Sequence, residues 1–189
     1  EEGRFGALGH GISDVDTGEL LSIADGNLYD AQILGIRKGE KGNPGELSGL
    51  IRYEAGNILG EISENRKNGI FGTMEASQLK NMNLEKVPIG YKQDLKTGPA
   101  SVFCCTDGEV KEYAAEITRI DLNHEDSNKS FVIQITDKEL LEKTGGIVQG
   151  MSGSPVLQNG KLFGAVTHVF VQDSTSGYGI FIENMMDVA

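Results

Sequence analysis

Strand-length runs in which apolar and polar positions alternate, or apolar ones cluster, recur from end to end: residues 28–36, 47–53, 58–62, 69–74, 100–105, 110–120, 130–135, 162–171 and 177–182. A period of two puts successive side chains on opposite faces of a pleated strand, so these runs predict a β-protein. Clusters of Gly, Asn and Asp separate them, and the polar stretch 37–45 is a loop by this measure. The clearest local signal is Asn159-Gly160 between the alternating runs 155–158 and 161–166, because Asn-Gly accepts the two positive φ values of a type I′ hairpin turn. One helix of one or two turns is predicted over 138–143, with Thr136 and Asp137 as candidate N-caps and Gly145-Gly146 as its stop. No internal repeat is present.

Length and composition refine this picture. At 189 residues the chain can form one large β-domain or two small barrels and bury a core without disulfide staples. With 26 Gly and only 4 Pro, tight turns between short strands are favoured over a helical bundle. The formal net charge of −11 repels phosphate backbones, and no basic run offsets it, so nucleic-acid binding is not expected. No apolar run approaches the roughly 20 residues of a membrane span, and Glu1-Glu2-Gly3-Arg4 lacks a signal-peptide pattern, so the chain as given reads as soluble. Cys104 and Cys105 are adjacent and, in a strand, face opposite ways, which predicts two free thiols. The three histidines are scattered and neither cysteine has a ligand-spaced partner, so neither a metal nor any other cofactor is expected.

The chemistry concentrates in Gly150-Met151-Ser152-Gly153-Ser154-Pro155, immediately before the hairpin. Glycines on both sides of one serine allow a sharp turn, and the amides of Gly150 and Ser152 could then converge as an oxyanion hole. An ordinary Gly/Ser turn has the same composition, so the motif needs a partner. A serine hydroxyl is a weak nucleophile without a base within hydrogen-bond reach, which directs attention to the histidines. His10 lies between glycines in Gly9-His10-Gly11 and is uncrowded; His168 falls within an apolar strand, and His124 within the polar run 121–126. His10 is the favoured base. For an orienting acid, Asp137 and Asp14 compete, and on spacing alone Asp137 reads as the cap of the helix that follows it and Asp14 as a turn residue.

The segments Ala7-Leu8-Gly9-His10-Gly11-Ile12, Gly145 through Pro155, Gly164 through Val171 and Gly177 through Glu183 together resemble the SpoIVB peptidases of endospore-forming bacteria over nearly the whole chain. That family is placed with the trypsin-like serine proteases, whose Gly-Asp-Ser-Gly-Gly-Pro signature is similar to Gly150 through Pro155. The resemblance implies an all-β, trypsin-like double β-barrel with one or two short helices, forming a single catalytic domain over residues 1–189. It implies His10 as base, Asp137 as orienting acid and Ser152 as nucleophile. Only nine residues precede His10, and Asp137 lies just 15 before Ser152, so the first barrel is expected to be irregular or rearranged. The floor of the P1 pocket would be Gly146, where no acid stands to favour Lys or Arg. Thr167, His168 and Val169 would line the cleft and pair with an extended substrate.

The expected function is therefore serine endopeptidase cleavage of a protein substrate through an acyl-enzyme, with no cofactor. The resemblance further implies sporulation signalling by cleavage of a membrane-associated regulator, self-cleavage, and release across the forespore membrane into the intermembrane space. Family members also carry an N-terminal membrane-spanning or signal segment and a PDZ domain; neither is recognisable in this sequence, which reads as a fragment. Two rivals stand beside this reading. One is a catalytically silent protease-like module that binds a peptide in the same cleft. The other is an acyl hydrolase of another fold, which the hairpin after Ser152 disfavours, since a nucleophile elbow needs a helix there.

Overall fold

The protein is described here from a computed structural model that covers residues 3–82, 84–124 and 126–186, so Glu1, Glu2 and Glu125 of the sequence readings above lie outside the described residues. Twelve strands carry it: β1 (Arg4–Ala7), β2 (Asn27–Tyr29), β3 (Ala31–Arg37), β4 (Glu46–Ile51), β5 (Ile58–Arg66), β6 (Gly69–Met74), β7 (Gly98–Cys105), β8 (Val110–Ile120), β9 (Phe131–Ile135), β10 (Pro155–Gln158), β11 (Lys161–Phe170) and β12 (Asp173–Phe181). Three short helices join them: α1 (Ala76–Asn81), α2 (Lys138–Thr144) and α3 (Ile182–Met185).

The second half closes. Strands β10-β11-β12-β9-β8-β7 form an antiparallel barrel in which each strand pairs with a neighbour on both sides over part of its length. Its inward positions are the alternate residues the sequence pattern marks. Tyr113, Ala115 and Ile117 of β8 point in, as do Val102 and Cys104 of β7, while Phe131, Ile133 and Ile135 of β9 do the same. Leu140 of α2 and Met151 plug this core. Asn159 (φ 52°) and Gly160 (φ 73°) make the positive-φ turn between β10 and β11. Cys104 faces the core and Cys105 its outside, both as free thiols; burial, then the neighbouring Cys105 and two carboxylates, push the Cys104 thiol up to about 12.

The first half stays open, as the short lead before His10 predicts. It comprises a sheet in the order β1-β6-β5-β2 and a separate β3–β4 hairpin. The predicted strand 28–36 breaks at Asp30, whose carboxylate accepts the Ala31 amide proton at 2.9 Å and turns the chain from β2 into β3. Large apolar side chains remain exposed on this hairpin, Leu34 at 65%. The halves meet where Phe71 of β6 packs on Ala165, Ile180 and Met185.

Helix α2 begins and ends where its local chemistry dictates. Asp137 has extended backbone, and its carboxylate accepts the Leu140 amide at 3.1 Å; Gly145, at φ 72°, returns its amide to Leu141. The same Asp137 carboxylate accepts the Ala114 amide of β8 at 3.3 Å, tying helix to barrel. Replacing Asp137 by Ala should cost about 1 kcal/mol of stability in urea unfolding, while Asp137→Ser, which can still cap, should retain most of it.

Candidate active site

His10 is delivered by a tight turn at the end of β1. Leu8 (φ 67°) and Gly9 (φ 70°) both take left-handed backbone, and the Gly9 amide folds back to the Ala7 carbonyl at 2.9 Å. For leucine this conformation costs roughly 1–2 kcal/mol, so surrounding contacts must hold it. They do so because two glycines let backbones approach. A Cβ on Gly9 would lie 2.8 Å from Ile180 Cγ2 and 2.9 Å from Thr167 Cγ2, and a Cβ on Gly153 would lie 2.7 Å from the Leu8 amide nitrogen. The turn therefore lies flat against β11, β12 and the serine loop.

The serine loop is equally fixed. The Ser154 amide donates to Met151 O, enclosing Ser152 and Gly153 in a turn, while the Gly153 amide donates to Val166 O and the Val166 amide to Ser154 O. Buried Met151 pins the loop from below. As a result His10 Nε2 stands 3.1 Å from Ser152 Oγ, across 142 positions of sequence. The other ring nitrogen, Nδ1, is 3.0 Å from the Gly11 carbonyl oxygen. A carbonyl can only accept, so this contact places the proton on Nδ1 and leaves Nε2 as the lone pair facing the serine. Ser152 Oγ also donates to Thr167 O at 2.9 Å. Its single proton thus has two acceptors, the imidazole and the Thr167 carbonyl.

Of the acids, neither reaches this base. The expectation of Asp137 as the orienting acid needs correcting: its carboxylate is taken up by the Leu140 and Ala114 amides. It lies beyond the far end of β9, five residues past Val132, which stands in register with Tyr178 and through it with His168. At about 3.3 Å per residue this is on the order of 15 Å along the sheet. Asp14 accepts from the Asp16 amide and from the Thr17 amide and hydroxyl; these bonds, the Thr17 amide first, hold its carboxyl below the usual range and mark a turn. The group that orients His10 is the Gly11 carbonyl, a backbone atom with no residue-type signal in the sequence. His124 accepts the Asp126 amide in an exposed loop.

The other expected positions fall as follows. Gly150 has φ 100° and its Cα faces Leu47 of β4. Among the described residues neither its amide nor that of Ser152 has a protein acceptor, which leaves both donors for a ligand oxygen. Gly146 is buried, its Cα pressed against the Ser174 carbonyl. Thr167 is buried with its hydroxyl on Asn128 O at 2.6 Å. β10 pairs with β11 only as far as Ala165, so the edge carrying Thr167, His168 and Val169 has β12 on one side and is open on the other. Gly150 also lines a groove of about 1210 Å³ together with Leu47, Leu50 and Ile51 of β4 and Cys105 of β7.

The profile of the family described as SpoIVB peptidase S55 matches residues 1–186. Among solved structures, the Rv3671c protease of M. tuberculosis is similar in its active form (12% identity, 83% of this chain and 70% of that one, TM-score 0.49) and in an inactive form (14%, 77% and 70%, TM-score 0.47). An HtrA-type protease solved with a tripeptide is also similar (14% identity, 76% and 55%, TM-score 0.46). No curated protein matches the sequence.

If the glycine contacts hold His10 in place, Gly9→Val should separate the turn from β11. Covalent labelling of Ser152 by a fluorophosphonate should then fall at least about tenfold while the barrel still melts cooperatively.

Proposed function

From the premise that this chain belongs to the SpoIVB peptidase S55 family, we propose that it is a serine endopeptidase in which His10 and Ser152 work as a dyad. The observation that carries this is the 3.1 Å contact between His10 Nε2 and Ser152 Oγ, with the ring tautomer set by Gly11. When Oγ attacks a peptide carbonyl, its proton passes to Nε2, and the new C–O bond forms as the carbonyl π electrons move onto oxygen. That oxyanion falls to the Gly150 and Ser152 amides; one such donor is worth roughly 2.7–4 kcal/mol in the transition state. His10 then returns the proton to the leaving amine, and water repeats the sequence to free Ser152.

An endopeptidase needs room on both sides of the cleaved bond. The open edge at Thr167 to Val169 offers a β-strand partner for one side, and the groove lined by Gly150 offers space for the other. Binding along that edge would claim the Thr167 carbonyl for a substrate amide, releasing the Ser152 proton toward His10. A protein substrate follows. Within this proposal, family membership supports a membrane-associated regulator as that substrate, a role in sporulation signalling, self-cleavage, and action in the space between forespore and mother-cell membranes.

His10→Ala and Ser152→Ala should each remove nearly all cleavage of a casein or peptide substrate, and the double variant should be no worse than either, because the pair acts as a unit. Losses that add would argue against shared chemistry. Asp137→Ser should keep most of the cleavage rate, and any loss in Asp137→Ala should track lost fold in a thermal melt. A folded Asp137→Ser protein without activity would return the orienting role to that carboxylate.

A further inference from the structure

A second imidazole stands beside the first, and the chemistry above leaves it unused. The His168 ring centroid is 4.9 Å from that of His10, the two planes inclined by 37°. The two nitrogen contacts of His10, to Gly11 O and Ser152 Oγ, lie at the rim of its ring. Such contacts leave the ring free to rock about the line joining them. A second, tilted ring 4.9 Å away limits that motion. The backbone that carries the neighbour is fixed, since His168 lies on β11 in register with Tyr178 of β12.

Electrostatics point the same way. Among the described residues no carboxylate bonds to His10, so the imidazolium formed during attack is met by a carbonyl dipole and by whatever covers its face. A neutral aromatic ring in that position attracts a cation through its π electrons, whereas a protonated one repels it. His168 keeps one side in solvent, and partial desolvation holds its ring below the ordinary histidine value, with His10 and then Lys129 acting in the same direction and Asp126 opposing. Lys129 and Asp126, from the turn around Ser127–Lys129, are themselves paired at 2.7 Å, which mutes both. That direction favours the neutral form of the ring beside His10.

We propose that His168 is a positioning residue for the general base, its tilted ring packing beside His10 to fix the plane in which Nε2 meets Ser152 and to stabilise the imidazolium in place of a carboxylate. The proposal rests on the dyad reading of His10 and Ser152. It differs from a substrate contact, which would act through KM.

The test is steady-state kinetics of the chain bearing His168→Ala, His168→Phe or His168→Lys, each checked by thermal melt. His168→Ala should lower kcat about tenfold or more with KM changed less than about twofold, and His168→Phe should restore most of that loss. His168→Lys should move the acid limb of kcat/KM to lower pH by about one unit, because an adjacent cation disfavours the imidazolium. Unchanged kcat in His168→Ala, a loss confined to KM, or a His168→Phe protein as slow as His168→Ala would each overturn the proposal. If the wild-type chain neither cleaves nor labels at Ser152, the peptidase reading fails on its own. The packing can then be read in the Ser152→Ala protein from ¹⁵N shifts of the His10 ring. Loss of the Nδ1–H preference on adding His168→Ala supports it, and unchanged shifts overturn it.

Discussion

The site depends on close approach at two positions that carry no side chain of their own, Gly9 and Gly153. The turn after β1 rests on the serine loop and on β11 and β12 through the bare Cα atoms of Gly9 and Gly153, with gaps that any Cβ would close to under 3 Å. Loop closure over 142 positions is entropically costly, yet its cost grows only logarithmically with length. What decides the geometry is the fit at the end of the loop. Once the glycines admit that approach, the strained Leu8 is held in place and the two ring nitrogens of His10 find Gly11 and Ser152.

That arrangement distributes the work of a triad differently. A buried carboxylate would fix the tautomer and neutralise the imidazolium at once. Here the Gly11 carbonyl accomplishes the first task at 3.0 Å, and it carries only a partial charge for the second. Asp137, freed from that duty, belongs to the scaffold: one oxygen starts α2 and the other clasps β8. Since α2 ends in the Gly145-Gly146 bend that leads to the serine loop, the aspartate still bears on the site through the path of the chain.

Much of this was legible in the residues. The barrel strands were readable because β8 alternates and β9 is a short apolar run, each with a core to face; the Asn159-Gly160 turn and the ends of α2 follow from φ preference and capping. Strand β1 escaped notice because four residues that include Gly6 carry too little periodicity, and its pairing with β6 is set by tertiary contact. Helices α1 and α3 are six and four residues long, without a side-chain cap bond at either start, and leave no mark to read. His10 and Ser152 were found by residue type and flanking glycines. Gly11 was not, since a carbonyl belongs to every residue. For Asp137 the local reading as a cap matches the structure, and the role implied by resemblance does not, because capping is set by neighbours three residues away whereas a triad needs a distant ring to arrive.

The two halves are unequal in how they hold together, and the base rides on the weaker one. β1 lies at the margin of its sheet, zipped to β6 alone, whereas the nucleophile is set in a closed cylinder around a continuous apolar core. Peeling that marginal strand would break few bonds and expose little oil, yet it would carry the imidazole away and silence the serine with the cylinder intact. The molecule thus contains a mechanical fuse, in which a lightly anchored ribbon governs whether a firmly anchored one can react.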